Sequence, residues 1–372
     1  MRVNEDYTKL LIAISKLSGL FSDNSIPYIN YRVVENIFCK AYNAVNLSRS
    51  DTAFDAKIDT LGIGLKTFIC NSNSKLEKVA EFNTLSRNIT NINDYNDKVI
   101  KISEIRNDRI SMAKRLYQID NAIYHIVARR ENQLILFDDS YDLINVDAIN
   151  RIIDTPKSLS FFDNQNEYSY NYSKSTLFKR FTIPNDPYII PVNIIEDPYS
   201  LLLKLTEFND LTVKTNSLIK GVNYVILPLY SYTNGTSRRK YIYEKSGLNQ
   251  WNADGRKRNS GELYIPIPSQ IHKSYPEFFP DRDKIFNLKI PTGEIFNAKV
   301  CQDNRKALMT NPNKAMSDWL LRQVLNLKEN ELATIEKLND LGIDSVIVSK
   351  EDDENFSIDV SKTDSYEIFK DV

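Results

Sequence analysis

The sequence has few of the side chains that many catalytic sites and metal centres require. Among 372 residues there are two histidines and three cysteines. Because Cys39, Cys70 and Cys301 are far apart and show no C-x-x-C spacing, neither a zinc site nor a disulfide framework is indicated. Chemistry that needs several histidines is nearly excluded. Neither His125 nor His272 stands in a His-x-Lys motif, so mechanisms based on that motif are excluded as well.

Long apolar runs are also missing. The most apolar stretch near the start, residues 10–21, is interrupted by Ser15, Lys16 and Ser18 and is preceded by acidic residues. This pattern predicts an amphipathic helix and argues against a signal peptide. We therefore expect a cytoplasmic protein without a membrane partner.

A basic excess, which is common in proteins that bind nucleic acids, is absent from the chain as a whole. The formal net charge is −1, but the charges are segregated. Residues 237–259 contain seven Lys or Arg against two acidic residues, whereas residues 351–372 are acidic. Segregated charge can present a positive surface to phosphate, although solvated lysines on an ordinary surface would give the same local pattern.

The length exceeds the usual domain size of about 100 to 200 residues, so two domains are expected. Prolines at positions 184, 187, 191 and 198 interrupt the regular patterns of the chain, as linkers often do. We predict a first domain at residues 1–182, a linker at 183–221 and a second domain at 222–372.

The first domain shows a mixture of helical and strand patterns, which predicts an α/β or α+β fold. The predicted helices are residues 7–21, 32–44, 75–82 and 98–118, and the predicted strands are residues 53–59, 63–70, 123–128 and 134–137. In the second domain, short strands with Gly and Pro between them predict a β-barrel or sandwich. Flanking helices are expected at residues 315–326 and 331–341, followed by a strand at 344–348.

The most chemically suggestive stretch is FDAKIDTLGIGLKTFI, which contains Asp55 and Lys66. Metal-dependent phosphodiester cleavage needs carboxylates to hold Mg²⁺ and a cation to position the attacking water. With a turn near residue 61, two adjacent antiparallel strands could bring Asp55 and Lys66 together. Each residue alone could equally be an ordinary strand or turn residue.

This arrangement resembles the PD-(D/E)xK nuclease superfamily, in which one acid begins a strand and an acid-x-Lys pair lies on the next strand. Asp55 matches the first acid and Lys66 matches the lysine. Gly64 stands where the second acid is usual, so this sequence departs from the pattern there.

Some restriction enzymes of that superfamily supply the missing carboxylate from the following helix. The resemblance therefore implies that Glu81, with Glu77 as the alternative, joins Asp55 in holding Mg²⁺. Glu35, on the preceding apolar helix, matches a glutamate that many members place near the metal. The implied catalytic residues are Asp55, Lys66, Glu81 and Glu35.

Two segments of the second domain combine cations that suit phosphate with Asn, Gln, Arg and Lys side chains that match base edges. We predict that both segments bind DNA. The candidates in the first are Arg238, Arg239, Lys240, Asn249, Gln250, Asn252, Arg256, Lys257, Arg258 and Asn259. Those in the second are Asn304, Arg305, Lys306, Asn311, Asn313 and Lys314.

The order SGLNQWNADGRKRN, ELYIPIPSQIHKSYPEFFP, FNLKIPTGE and AKVCQDNRKALMTNPNKAMSDWLL resembles the B3-like recognition domains of certain type II restriction endonucleases. The resemblance covers about residues 222–360. It implies a seven-stranded open β-barrel, or pseudobarrel, whose N-arm (residues 249–259) and C-arm (residues 303–314) enter the major groove of double-stranded DNA.

Together the two resemblances imply a prokaryotic type II restriction endonuclease of a restriction-modification system. It would hydrolyse DNA phosphodiesters at a short sequence with Mg²⁺, as a homodimer. One alternative is a non-enzymatic, sequence-specific DNA-binding protein whose N-terminal domain dimerises. Another is a nuclease that acts on RNA or structured DNA.

Overall fold

The structure is a computed structural model, and it describes residues 3–48, 52–205, 220–233, 239–255, 258–259 and 261–371. The chain divides into two compact units. The first comprises residues 1–107 and 119–215, and the second comprises residues 108–118 and 216–372. No helix in the described ranges is long and apolar enough to cross a membrane.

The elements before residue 206 are listed here in chain order. They are α1 (Glu5–Lys16), α2 (Tyr31–Tyr42), β1 (Val45–Asn46), β2 (Ala56–Ile58), β3 (Leu61–Ile69), β4 (Ser74–Glu81), α3 (Ser86–Thr90), α4 (Tyr95–Tyr117), β5 (Asn121–Arg130), β6 (Gln133–Ser140), β7 (Asn150–Asp154), β8 (Ser158–Phe162), β9 (Glu167–Asn171), β10 (Thr176–Thr182), β11 (Tyr188–Pro191) and α5 (Pro198–Leu205).

A six-stranded mixed sheet of the first unit carries the segment with Asp55 and Lys66. Its order is β1-β2-β3-β5-β6-β11. β2 and β3 are antiparallel, as predicted, whereas β3 and β5 are parallel. Apolar side chains of α1 and α2, including Tyr7, Val34 and Phe38, form one core with Ile63 and Leu65 of β3. The helical spacing of those residues explains why both helices were predictable.

A second, five-stranded sheet has the order β4-β10-β9-β8-β7. Apolar residues of α4 and of this sheet share a second core, in which Val99 and Ile102 pack with Leu159 and Tyr168. The predicted hairpin of β5 and β6 is confirmed. The predicted linker at 183–221 contains an edge strand, β11, which pairs with β6.

The predicted helix at residues 75–82 is wrong, because these residues form the strand β4. Pairing with β10 shifts by one residue at Leu177 and Phe178, so that Lys78 and Ala80 have partners in the register and Val79 has none. This bulge places apolar residues of a strand at a spacing of three and four, which imitates a helix.

The second unit contains the remaining elements. They are β12 (Tyr224–Pro228), β13 (Ser231–Tyr232), β14 (Lys240–Tyr241), β15 (Ile265–Pro266), α6 (Ser269–Ser274), β16 (Ile285–Lys289), β17 (Ile295–Cys301), β18 (Ala307–Asn311), α7 (Asn313–Ser317), α8 (Ile335–Leu341), β19 (Ile343–Lys350), β20 (Asn355–Lys362) and α9 (Ser365–Asp371).

Seven of these strands form one sheet in the order β12-β19-β20-β16-β17-β18-β15. Because its two edge strands, β12 and β15, also contact each other, the sheet is nearly closed. The predicted C-terminal barrel is therefore confirmed. Helix α7 continues as a π-helix, Asp318–Val324, whose Trp319 is fully buried in the core.

Gly64 lies in β3 directly against two stacked aromatic rings. The rings of Tyr124 and Tyr141 are 3.9 Å apart with an interplanar angle of 13°. A Cβ atom at Gly64 would come within 2.6 Å of the Tyr141 ring and 2.9 Å of the Tyr124 ring. Tyr141 also donates a hydrogen bond of 2.5 Å to the carbonyl of Ala53. The stack thus requires glycine in β3 and holds the chain just before Asp55.

We expect Gly64→Ala to lower the free energy of unfolding by about 1–3 kcal/mol, because the added methyl group must displace a packed ring. Urea unfolding measures this cost. The double variant Gly64→Ala, Tyr141→Leu removes the ring that lies nearest to the added methyl group, so the combined cost should be smaller than the sum of the two single costs. Additive costs would show that the Tyr141 ring is not the obstacle.

Candidate catalytic site and nucleic-acid interface

Asp55 is fixed against the strand that carries Lys66. Its backbone N–H donates to the carbonyl of Ile63 at 2.9 Å. Its carboxylate oxygen Oδ2 accepts a hydrogen bond of 2.7 Å from the backbone N–H of Leu65, the residue before Lys66. The antiparallel hairpin therefore places Asp55, just before β2, near enough to Lys66 of β3 for the two charges to interact.

Burial opposes the charges of both residues, and their mutual attraction supports them. Loss of solvent raises the pKa of Asp55, although Lys66, the Leu65 N–H and Arg32 counteract this. Loss of solvent likewise lowers the pKa of Lys66, although Asp55 counteracts this. Pairs of groups whose pKa values are displaced by burial and by a specific partner are typical of functional sites.

Glu35 reaches the same site from helix α2. The residue is only 5 % exposed, and its Oε2 accepts a hydrogen bond of 2.9 Å from Arg32 Nη1. Burial and the negative charge of Asp55 raise the pKa of Glu35, and Arg32 opposes the rise. Helix α2 thus contributes Glu35, and the β2–β3 hairpin contributes Asp55 and Lys66, to one electrostatically coupled group.

Glu81 and Glu77, the two candidates for the second carboxylate, have different environments in the structure. Glu81 is exposed and forms an ion pair of 2.7 Å with Lys78. The bulge at Val79 accounts for this pairing, since residues three apart in a regular strand point to opposite faces. Glu77 is partly buried, forms an ion pair of 3.2 Å with Lys75 and raises the pKa of Lys66. Of the two candidates, Glu77 is therefore the one whose charge affects the pKa of Lys66.

The Tyr124 and Tyr141 rings occupy the space beside Gly64 where the acid-x-Lys pattern would place a carboxylate. The Lys66 ammonium lies 6.0 Å from the centre of the Tyr124 ring. Sequence reasoning missed both tyrosines, because they lie on β5 and after β6, far from the motif. It also missed Arg32, although an Arg three residues before a buried Glu on a helix is a recognisable signal.

Magnesium is compatible with this donor set. Within the part of the chain that the structure describes, no three His, Cys, Asp or Glu residues are grouped as metal ligands. Magnesium, however, usually binds through one or two carboxylates and completes its coordination with water and substrate phosphate. Burial raises the pKa of both Asp55 and Glu35, and a bound divalent cation would oppose that shift.

His125 does not belong to this group of residues. It is 2 % exposed and packs beside Tyr7 and Phe38. Its Nδ1 is 2.7 Å from Asp138 Oδ1. This is the environment of a packed core histidine.

In the second unit, several of the predicted DNA-binding residues of the first segment are committed to internal contacts. Asn249 is fully buried. Its amide accepts a bond of 2.8 Å from Ala333 N and donates one of 3.0 Å to Ala333 O. Lys240 forms ion pairs of 2.5 Å with Asp344 and Asp364. Both side chains are thus engaged within the unit, and their contact with DNA stays a prediction.

Two further residues of this segment stabilise the loop itself. Asn252 Nδ2 donates to the Glu244 carbonyl at 3.0 Å. Arg258 Nη1 donates to the carbonyls of Ala253 and Asp254. Gln250 is partly buried, whereas Arg239 and Asn259 are exposed. Arg238, Arg256 and Lys257 lie outside the described residues.

The predicted C-arm at residues 303–314 is not one continuous loop. Strand β18 runs through it and pairs with β17, so residues 304–306 and 311–314 lie at opposite ends of a strand of five residues. At about 3.3 Å per residue, the two groups are separated by roughly 15 Å. Arg305 donates to the carbonyls of Phe279 and Pro280 at 2.9 and 2.7 Å and so holds a neighbouring loop.

One end of β18 lies beside the end of the N-arm. Asn259, Asn313 and Lys314 line a common cavity of about 450 Å³. Gly261 packs closely on α7, since a Cβ atom there would come within 2.9 Å of Ser317 Oγ. The structure thus brings together Asn259, Asn313 and Lys314. Exposed candidates elsewhere in the described unit are Arg239, Asn304, Lys306 and Asn311.

Comparison with known proteins identifies the class of the second unit. Residues 229–352 match the family model of the NgoFVII C-terminal B3-like DNA-binding domain. The match covers a third of the chain and includes five of the seven strands of the sheet, all except β12 and β20. The C-terminal region is therefore a B3-like domain. The search of curated proteins found no match to the chain.

Glu35→Gln should change how stability depends on pH. Because the folded-state pKa of Glu35 is raised, the folded protein binds its proton more tightly than the unfolded chain. Stability from this group is present below the unfolded pKa, near 4.5, and is lost as pH rises through the folded pKa. We expect the free energy of unfolding of Glu35→Gln, measured with urea, to increase relative to that of the parent as pH rises. Glu81→Gln is the control for removal of a charge. Parallel pH curves for Glu35→Gln and the parent would contradict the assignment.

Asn249→Ala should destabilise the second unit by about 1–3 kcal/mol, because the buried N–H and carbonyl of Ala333 lose their partners. The matched control is Asn259→Ala, which removes an exposed amide and should change stability by less than about 0.5 kcal/mol. Urea unfolding of both variants distinguishes the two roles. If Asn249→Ala and Asn259→Ala were equally stable, the structural role of Asn249 would be contradicted.

Proposed function

We propose that the protein is a sequence-specific endonuclease of double-stranded DNA, of the type II restriction class, with Mg²⁺ as its cofactor. The first unit would cut and the B3-like domain would read the target. The observation that carries the proposal is the electrostatic coupling of Glu35 from α2 with Asp55 and Lys66 from the β2–β3 hairpin, in which Glu35 is buried and the other two are partly buried. The DNA-binding description of the matching family supports the same conclusion from the other unit.

The side chains of the first unit have distinct tasks in this proposal. Asp55 presents one anchored carboxylate, because its Oδ2 is held by the Leu65 N–H, and Glu35 presents another that Arg32 holds in place. Both would bind Mg²⁺ beside the scissile phosphate. The cation, when bound, would polarise the phosphate and lower the pKa of a water molecule.

Lys66 is suited to orient the attacking water. Burial lowers the pKa of its ammonium group, which brings the lysine closer to the range in which it can exchange a proton with water. Glu77 opposes this shift and would favour the charged form of the lysine. The PD-(D/E)xK assignment of the first unit follows from these residues and remains part of the proposal.

The B3-like domain would read DNA mainly through the surface where the N-arm meets the end of β18. Asn259 and Asn313 carry amides that suit adenine edges, and Lys314 carries a cation that suits guanine or phosphate. Lys306 and Asn304 lie at the other end of β18 and would contact the backbone at a separate place. Cutting both strands with one site per chain calls for two chains, so we propose a homodimer.

The test is digestion of plasmid DNA by the purified full chain with Mg²⁺, with a chelator control and sequencing of the ends. We expect discrete fragments with defined ends. Asp55→Asn and Lys66→Met should each lower the rate by about 100-fold or more, because each removes a group that acts in the transition state. Glu77→Gln should lower it by about tenfold or more, and the control Glu81→Gln should leave it within about twofold.

The same variants distinguish the alternatives. If Asp55→Asn and the parent bind duplex DNA equally and neither cuts it, the protein is a non-enzymatic DNA-binding protein. A smear from duplex DNA, or cutting of RNA alone, would identify a nuclease without sequence choice. If Asp55→Asn cuts as fast as the parent, the catalytic site lies elsewhere.

A further inference from the structure

Arg32 lies at the start of α2. The guanidinium group of Arg32 has an inner nitrogen, Nη1, and an outer edge formed by Nε and Nη2. The Asn30 side chain caps the helix and accepts a bond of 2.9 Å from the backbone N–H of Arg32. The inner nitrogen, Nη1, donates to Glu35 Oε2 at 2.9 Å, to Ser48 Oγ at 2.8 Å and to Ser48 O at 3.2 Å. Arg32 is therefore held in place from three sides.

The outer edge, Nε and Nη2, makes no hydrogen bond to the described residues of the first unit. Within residues 3–48 and 52–205, every hydrogen bond of the Arg32 side chain is made by Nη1. The side chain is 43 % exposed, although its partner Glu35 is only 6 % exposed. A guanidinium has five N–H donors in a rigid fork, so Nε and Nη2 present an N–H pair to solvent. That fork matches two oxygens of a phosphate.

The position of this fork makes it relevant to catalysis. Arg32 lowers the pKa of both Glu35 and Asp55, so its charge lies close to both carboxylates. Lys78, another cation that acts on Lys66, is engaged with Glu81 at 2.7 Å. A DNA strand whose phosphate approaches the carboxylates therefore meets Arg32 as a preorganised cation at the rim of the site.

We propose that Arg32 binds substrate directly: its Nε and Nη2 hold a backbone phosphate of DNA next to the bond that is cut, while Nη1 keeps Glu35 in position. This inference rests on the proposed nuclease function and extends it. The ligand is a phosphodiester oxygen pair and carries no base identity. Arg32 thus fixes where the backbone lies, and the B3-like domain chooses the sequence.

The first experiment compares Arg32→Met and Arg32→Lys with the control Arg180→Met. Arg180 is a matched control because it also pairs with a glutamate, Glu167, at 2.7 and 2.9 Å and is 35 % exposed. With the cleavage site known, kcat and KM are measured for a duplex at several salt concentrations. Arg32→Met should lower kcat/KM by about tenfold or more, and Arg32→Lys should lower it less.

Binding in the presence of chelator gives a readout that a purely structural role would not change. Loss of one phosphate contact should reduce the slope of log affinity against log salt by about 0.9 in Arg32→Met. Arg180→Met should keep the slope of the parent. Equal slopes in all three proteins would overturn the proposal and leave Arg32 as a support for Glu35 alone.

A set of duplexes, each with one uncharged methylphosphonate near the cut, locates the contact. At one position the substitution should slow the parent and Arg180→Met by about tenfold and have little effect on Arg32→Met, because the contact is already lost there. If Arg32→Met does not fold, Arg32→Lys must show a reduced effect at that position. Full sensitivity of the Arg32 variants at every position would refute the contact. Failure of the parent to cut any duplex would instead refute the nuclease function.

Discussion

The first unit depends on one electrostatic constraint: opposite charges are held together where water is scarce. Asp55 and Lys66 each lose solvation, and each recovers part of that cost from the other. Glu35 adds a second buried anion that Arg32 only partly neutralises. Such a group contributes little to stability by itself, because desolvation can exceed the attraction of the pair.

The backbone makes this grouping possible. The antiparallel pairing of β2 and β3 sets Asp55 beside the Leu65 N–H, and α2 lies over the same sheet, so its polar residue Glu35 reaches the hairpin. In the second unit, the nearly closed sheet has a comparable role. It fixes the ends of β17, β18 and β15 and therefore determines which polar loops lie next to each other. In both units the strands position the candidate side chains.

Local patterns predicted the parts whose environment is set by neighbours in sequence. The apolar spacing of α2, the β2–β3 turn and the short strands of the barrel each follow from such patterns. Prediction failed where pairing with distant strands decided the outcome. The bulge at Val79 gave β4 the spacing of a helix, and Asn249 looked like a surface amide although Ala333, 84 residues away, binds it. Tyr124 and Tyr141 could not be associated with Gly64, because only the folded sheet brings them together.

The close approach of Gly64 to the two stacked rings limits how this site can change. A carboxylate at that position would need the space of a tyrosine ring, and removal of the ring alone would leave a cavity in the core and an unsupported Ala53 carbonyl. Each single substitution is therefore expected to destabilise the unit. A change from Gly64 to the more usual acid of the acid-x-Lys arrangement would therefore need a second substitution at a tyrosine. We expect related proteins that contain the stacked tyrosine pair to keep it.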